Sequence, residues 1–197
     1  MVEIFVNNLV NQMEKESLLK AEMREYYIYM LVVISEKWIT ILSILCLGFL
    51  MKKVIPTVLF LVCFIPLRRK TGGYHADKFW KCYLGTLIIY SMINYLCSIV
   101  VYHMNIVYCG FIISVFLISM MGTINHPNIA MNVWELQKSK QAARYMLGLE
   151  CMVVVAMIIL RMQAIYVCYM AMSIILCAVL MCVAKILKQE VLCNEKE

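Results

Sequence analysis

His75 and Cys82 are the only histidine and cysteine this close together in a polar, cationic setting. They lie in the stretch RRKTGGYHADKFWKC at residues 68–82, which also holds Arg68, Arg69, Lys70, Lys78, Lys81 and the pair Gly72-Gly73. The nucleophilic form of cysteine is the thiolate, and an unperturbed thiol with a pKa of ~8.5 is mostly protonated at neutral pH. Neighbouring cations favour the anion. A neutral imidazole can take the thiol proton and hand it to a departing amine. These residue types are the ingredients of a Cys–His dyad acting on a peptide bond.

Their spacing restricts how such a dyad could form. An unbroken helix from His75 to Cys82 would place both side chains on one face, yet about 10 Å apart at ~1.5 Å per residue. A dyad therefore needs a bend. Gly72 and Gly73 permit one, since glycine reaches positive φ without steric cost. Asp77 is an N-cap type for a helix starting near Lys78. His75 is thus expected on a turn and Cys82 inside the following helix. The basic run serves equally well as a topology anchor with Cys82 as a packing residue, and spacing alone leaves both readings open.

The elements that must position this stretch belong to a membrane protein. Of the 197 residues, 64% are hydrophobic and 15% charged, against ~45–50% apolar in soluble proteins. The fold class expected is all-α: a polytopic membrane protein forming a single domain over residues 1–197. About six hydrophobic helices are expected, together with an N-terminal amphipathic helix at 1–25. Four apolar runs read as clear spans: Trp80–Tyr102, Ile106–Met121, Tyr145–Leu160 and Ala164–Ala184. Trp38–Met51 and Val54–Leu67 are shorter, with Lys52-Lys53 between them, and read as two short helices or a re-entrant hairpin. Ser35-Glu36-Lys37 separates Trp38 from the apolar Tyr26–Ile34. The N-terminal stretch, with Glu3, Glu14 and Glu16, lacks the pattern of a cleaved signal peptide.

The polar segments fix the expected topology. Residues 68–81 carry five Lys or Arg and 122–144 carry three, whereas 103–105 has none and 161–163 one. Positive-inside bias puts 68–82, the loop 122–144 and the tail 185–197 in the cytoplasm. The net charge of +6 follows from these loops, so no nucleic-acid partner is expected. Among the ten cysteines, Cys46, Cys63, Cys97, Cys168, Cys177 and Cys182 sit in apolar runs, where a thiol acts as a small hydrophobe. No CxxC or zinc spacing occurs, so neither a metal nor another cofactor is expected.

RRKTGGYHA followed by Cys82 resembles the accessory gene regulator B (AgrB) family, membrane peptidases of Gram-positive quorum sensing. The family pattern is an Arg, Gly-Gly, an aromatic, His-Ala, and a Cys seven residues after the His. Here these are Arg69, Gly72, Gly73, Tyr74, His75, Ala76 and Cys82. The resemblance implies a cell-membrane cysteine endopeptidase with Cys82 as nucleophile and His75 as general base. Its substrate would be a small propeptide with an acidic C-terminal region. An internal thiol or hydroxyl of that propeptide would take over the acyl group, closing a cyclic autoinducing peptide.

Arg69 is the expected clamp on the acidic region, supported by Gly72, Gly73, Lys78 and Lys81. Membrane lipid is an expected partner, and interhelical packing is compatible with a homodimer. The family's His-Pro stretch corresponds to His126-Pro127, and the basic run after it is reduced to Lys138, Lys140 and Arg144. Glu150, Asp77 and Asn125 are candidates for a third group orienting His75. The competing reading is a non-enzymatic membrane module, such as a small transporter subunit or scaffold, in which the charges only anchor loops.

Overall fold

The computed structural model describes residues 2–16, 23–74, 79–125 and 131–188. His75, Ala76, Asp77, Lys78, His126 and Pro127 therefore lie outside the described residues, as does the tail beyond Lys188. All regular structure among the described residues is helical: α1 (Val2–Lys15), α2 (Arg24–Leu50), α3 (Val54–Thr71), α4 (Phe79–Val100), α5 (Met104–Met121), α6 (Val133–Ile159) and α7 (Ala164–Ile186). A 3₁₀ turn at Val101–His103 joins α4 to α5. Helices are the natural answer for such apolar sequence, because lipid offers no partner to an unpaired backbone group. Four stretches are long and apolar enough to cross a membrane: α2, α4 with α5, α6 and α7.

The chain divides into two units, residues 1–47 and 48–197. In the first, Arg24 at the start of α2 reaches back to α1. Its Nη2 donates to Asn11 Oδ1 at 2.8 Å, and its Nε lies 3.4 Å from Glu14 Oε2. The amphipathic helix expected over 1–25 is thus α1 alone, with Arg24 and Glu25 opening the next helix. That helix runs unbroken through Ser35-Glu36-Lys37. The charges interrupt hydropathy without interrupting the helix, since Glu and Lys are good helix formers. The expected short run Trp38–Met51 is accordingly the second half of a 27-residue helix.

The second unit is a bundle around α7, which packs on α3, α4, α5 and α6. The α7 span is 61% buried, against 22% for α6 and 17% for α4 with α5, so α7 is the axis and the others meet lipid. Small residues allow its close packing: Ala171, Ser173, Ala178 and Ala184 are all buried. A Cβ on Gly110 of α5 would come within 3.2 Å of Ile175. The core joins Leu67, Ile118, Leu147, Val154, Ile174 and Met181 from four helices, α3, α5, α6 and α7.

Helix α3 runs antiparallel to α4 across the bundle. At its start, Lys53 Nζ donates to Asn94 Oδ1 and Ser98 Oγ, late in α4. At its end, Arg68 lies within electrostatic reach of Cys82, early in α4. The eighteen residues of α3 therefore traverse the length of α4 rather than returning to the end where they began.

The loop expected over 122–144 is shorter, because α6 begins at Val133. Glu135 Oε2 accepts from the Asn132 backbone N–H at 3.1 Å, one half of a capping box. Lys138, Lys140 and Arg144 are therefore helical, and Arg144 Nε donates to the Ser119 carbonyl of α5 at 3.1 Å.

Candidate functional site

The candidate site is the turn from α3 to α4. Gly72 caps α3: its N–H donates to Arg68 O at 3.1 Å, and its φ is +67°. Gly73 follows at φ +120°. Side chains rarely adopt these angles, and neighbouring atoms leave no room for one. A Cβ on Gly72 would meet Ile124 O at 3.0 Å, and one on Gly73 would meet Leu180 O at 3.1 Å and collide with Arg68 Nη1.

The turn is held from two sides. Tyr74 N–H donates to Leu180 O of α7 at 3.1 Å, and Ile124 N–H donates to Thr71 O at 3.0 Å. Thr123 Oγ1 donates to Lys70 O at 2.9 Å. The two basic segments of the sequence thus meet at one end of the bundle.

Arg68 folds over this turn. Its Nη2 donates to the Tyr74 carbonyl, while Nη1 is buried with no hydrogen-bond partner among the described residues. The guanidinium lies within electrostatic reach of the Cys177 and Cys82 thiols. Cys82 is half-buried in the first turns of α4. The ring pairs Phe79–Tyr83 and Trp80–Tyr83 surround it in sequence, with centroids 5.7 and 6.0 Å apart. Aromatic residues of this kind favour the membrane–water boundary.

Of the expected site residues, the structure brings Gly72, Gly73 and Cys82 to one place. Lys81 is on the same helix and exposed, and Arg69 is exposed. His75 and Lys78 fall outside the described residues. The cation turned inward is Arg68, one position before the expected clamp. The signal for it was in the sequence: Thr57, Phe60, Leu61, Phe64, Leu67 and Thr71 form a helical stripe that passes through 68 and leaves 69 and 70 outside.

Two of the candidates for a third group, Asn125 and Glu150, lie within the described residues. Asn125 closes its own loop, donating from Nδ2 to Met131 O at 3.3 Å and accepting from Met131 N at 3.0 Å. Glu150 is buried deeper, with both carboxylate oxygens lacking a hydrogen-bond partner among the described residues. It lies within electrostatic reach of Cys63 and Cys177. No group of three or more metal-ligand residues that could hold an ion occurs among the described residues.

No curated protein and no solved structure matches the chain. The family model described as Accessory gene regulator B matches residues 6–183. That match takes in every described helix of the bundle up to the last turn of α7, and with it the glycine turn, Arg68 and Cys82. The chain belongs to the Accessory gene regulator B family, whose members are membrane proteins of quorum-sensing peptide processing.

Proposed function

We propose that this protein is a membrane cysteine endopeptidase that cleaves a small signalling propeptide on the C-terminal side and cyclises what remains. The observation that carries the reading is the pairing of a half-buried cysteine with a half-buried arginine whose Nη1 is buried without a hydrogen-bond partner among the described residues, at a pinned turn. A guanidinium with a free N–H is suited to stabilise negative charge that develops beside it.

In this mechanism His75 takes the Cys82 thiol proton, and the thiolate attacks the scissile carbonyl. The oxyanion forms near Arg68. As the C–N bond breaks, His75 returns the proton to the departing amine, leaving the N-terminal part as a thioester on Cys82. A thiol or hydroxyl within the bound fragment then attacks that thioester. His75 takes the proton of that thiol or hydroxyl, the Cys82 thiolate is expelled, and the ring closes as a thiolactone or lactone with no water consumed. Positive-inside bias favours a cytoplasmic site, where a reducing compartment keeps Cys82 free.

The test is co-expression with a propeptide encoded beside it. Cys82→Ala and His75→Ala should each abolish the processed peptide while membrane insertion is unchanged. Continued processing by both variants would favour the scaffold or transporter reading.

A further inference from the structure

We propose that the seam between α5 and α6 binds one anionic phospholipid, with its phosphate held by Lys140 and Arg144 and one acyl chain lying over Gly148. These three residues follow one another at intervals of four along α6, so they share one face of the helix. Arg144 fixes which face this is, because its Nε donates to the Ser119 carbonyl of α5 at 3.1 Å. That bond uses one of five guanidinium N–H donors. Lys140 is placed by the glycine that ends α5: a Cβ on Gly122 would come within 2.9 Å of Lys140 Cγ and 3.1 Å of its Cβ. The lysine stem therefore rests on the turn after α5. Beside it, Ser139 Oγ donates to Lys70 O at 3.5 Å, which brings the last turn of α3, and a third cation, to the same place.

The charge here is unanswered by the protein. Lys70, Lys140 and Arg144 form no salt bridge among the described residues. The only acidic residue from Val133 to Arg144 is Glu135, and its Oε2 accepts from the Asn132 N–H. An ammonium and a guanidinium side by side suit a phosphodiester. Cations alone would suit an acidic peptide equally well, and what lies below them favours a lipid. Arg144 immediately precedes the apolar run Tyr145–Leu160, so it stands where headgroups meet hydrocarbon. One turn further in, a Cβ on Gly148 would meet nothing within 4 Å, so the face that carries the cations is bare down to its backbone there. Met152, next in line, is exposed, and so is Phe116, one turn before Ser119 on α5. Cations above a glycine hollow with apolar edges match a phosphate joined to a hydrocarbon chain, not a run of carboxylates.

The place gives such a lipid something to hold. Thr123 Oγ1 donates to Lys70 O, and Ile124 N–H donates to Thr71 O, so the segment after α5 already pins the end of α3. A headgroup shared by Lys140 and Arg144 fastens α6 to the same junction. A ligand that binds only the folded chain raises its stability, so the bound lipid should raise Tm as well.

The proposal does not depend on the peptidase reading, and Cys82→Ala should leave it intact. The test offers the full chain, purified in detergent, equal amounts of phosphatidylglycerol and phosphatidylcholine with identical acyl chains, and counts retained lipid by native mass spectrometry. Wild type should keep one phosphatidylglycerol per chain in preference to phosphatidylcholine. Lys140→Gln and Arg144→Gln should each lower that preference about fivefold, the weight of one Lys or Arg against an anionic headgroup layer. Gly148→Leu keeps every charge and should still lose the lipid, because the new side chain fills the hollow. Lys52→Gln, at the opposite end of α3, should change nothing. Equal retention of the two lipids by wild type would overturn the proposal, as would undiminished retention of phosphatidylglycerol by Gly148→Leu. Release of the bound lipid by a soluble oligoglutamate peptide would also overturn it, in favour of a peptide-docking surface. The wild-type comparison decides even if a variant fails to insert.

Discussion

The two ends of the bundle each bring a cation from α3 to the flank of α4, yet they solve the problem differently. At one end Lys53 Nζ is answered by Asn94 Oδ1 at 3.0 Å and Ser98 Oγ at 2.5 Å, and Asn94 also engages Met51 Sδ. At the other, Arg68 spends one nitrogen on the Tyr74 carbonyl and keeps Nη1 buried without a partner among the described residues. A satisfied polar cluster specifies packing, because each member removed leaves another unpaired. An incompletely satisfied one stores the capacity to bind something else. On the proposed function, the contrast would put stability at the Lys53 end and chemistry at the Arg68 end.

The sharpest way to break this contrast is to remove Arg68. Arg68→Ala should lower the rate of propeptide cleavage by roughly 10²–10³-fold, the usual loss when a donor to a developing oxyanion is deleted. Arg69→Ala, exposed and one position on, should change it by no more than about threefold, consistent with a weakly contributing surface charge. Single-turnover cleavage in detergent or vesicles measures both. Equal losses would place the functional cation where the sequence motif alone had placed it.

The glycine turn comes next in size. Gly73→Ala forces a side chain into φ +120° and against Arg68 and Leu180, a cost of ~1–3 kcal/mol for the backbone alone. Cleavage should fall with it, because relief of the clash displaces Arg68. Gly85→Ala on α4 meets nothing within 4 Å, and replacing a mid-helix glycine should leave Tm unchanged or raise it. A thermal melt followed by circular dichroism, alongside the cleavage assay, separates the two variants.

Much of this was readable in the sequence, and the misreadings have definite causes. Apolar run lengths located α4, α5 and α7 well, because in lipid hydropathy and helix length are one constraint. They failed at α2, where Glu36 and Lys37 break hydropathy but not the helix. They failed again at α6, where the Asn132…Glu135 capping signal was outweighed by the polarity of residues 122–144. At the site, the glycines and Cys82 were legible because their chemistry is rare. Motif spacing did not choose between Arg68 and Arg69, since it carries no helical phase. The stripe Thr57, Phe60, Leu61, Phe64, Leu67 and Thr71, also present in the sequence, supplies that phase. Nor could spacing show that the turn is pinned by Leu180 and Ile124, which are far along the chain.

The Lys53 end sets the opposite expectation, stability lost with activity kept. Asn94 is buried and holds both Lys53 and Met51, so Asn94→Ala should cost ~1–3 kcal/mol, as expected when a buried partner is left unpaired. Ser98→Ala should cost less, roughly 0.5–1.5 kcal/mol. Lys53 keeps Asn94 in that variant, and the bond lost from Ser98 Oγ to the Asn94 carbonyl duplicates one the helix already satisfies. Both variants should lower Tm in that order and leave the cleavage rate of the folded fraction within about twofold of wild type. If Ser98→Ala slowed cleavage as severely as Arg68→Ala, the two ends would be coupled through α4, and dividing the bundle into a packed end and a reactive end would be untenable.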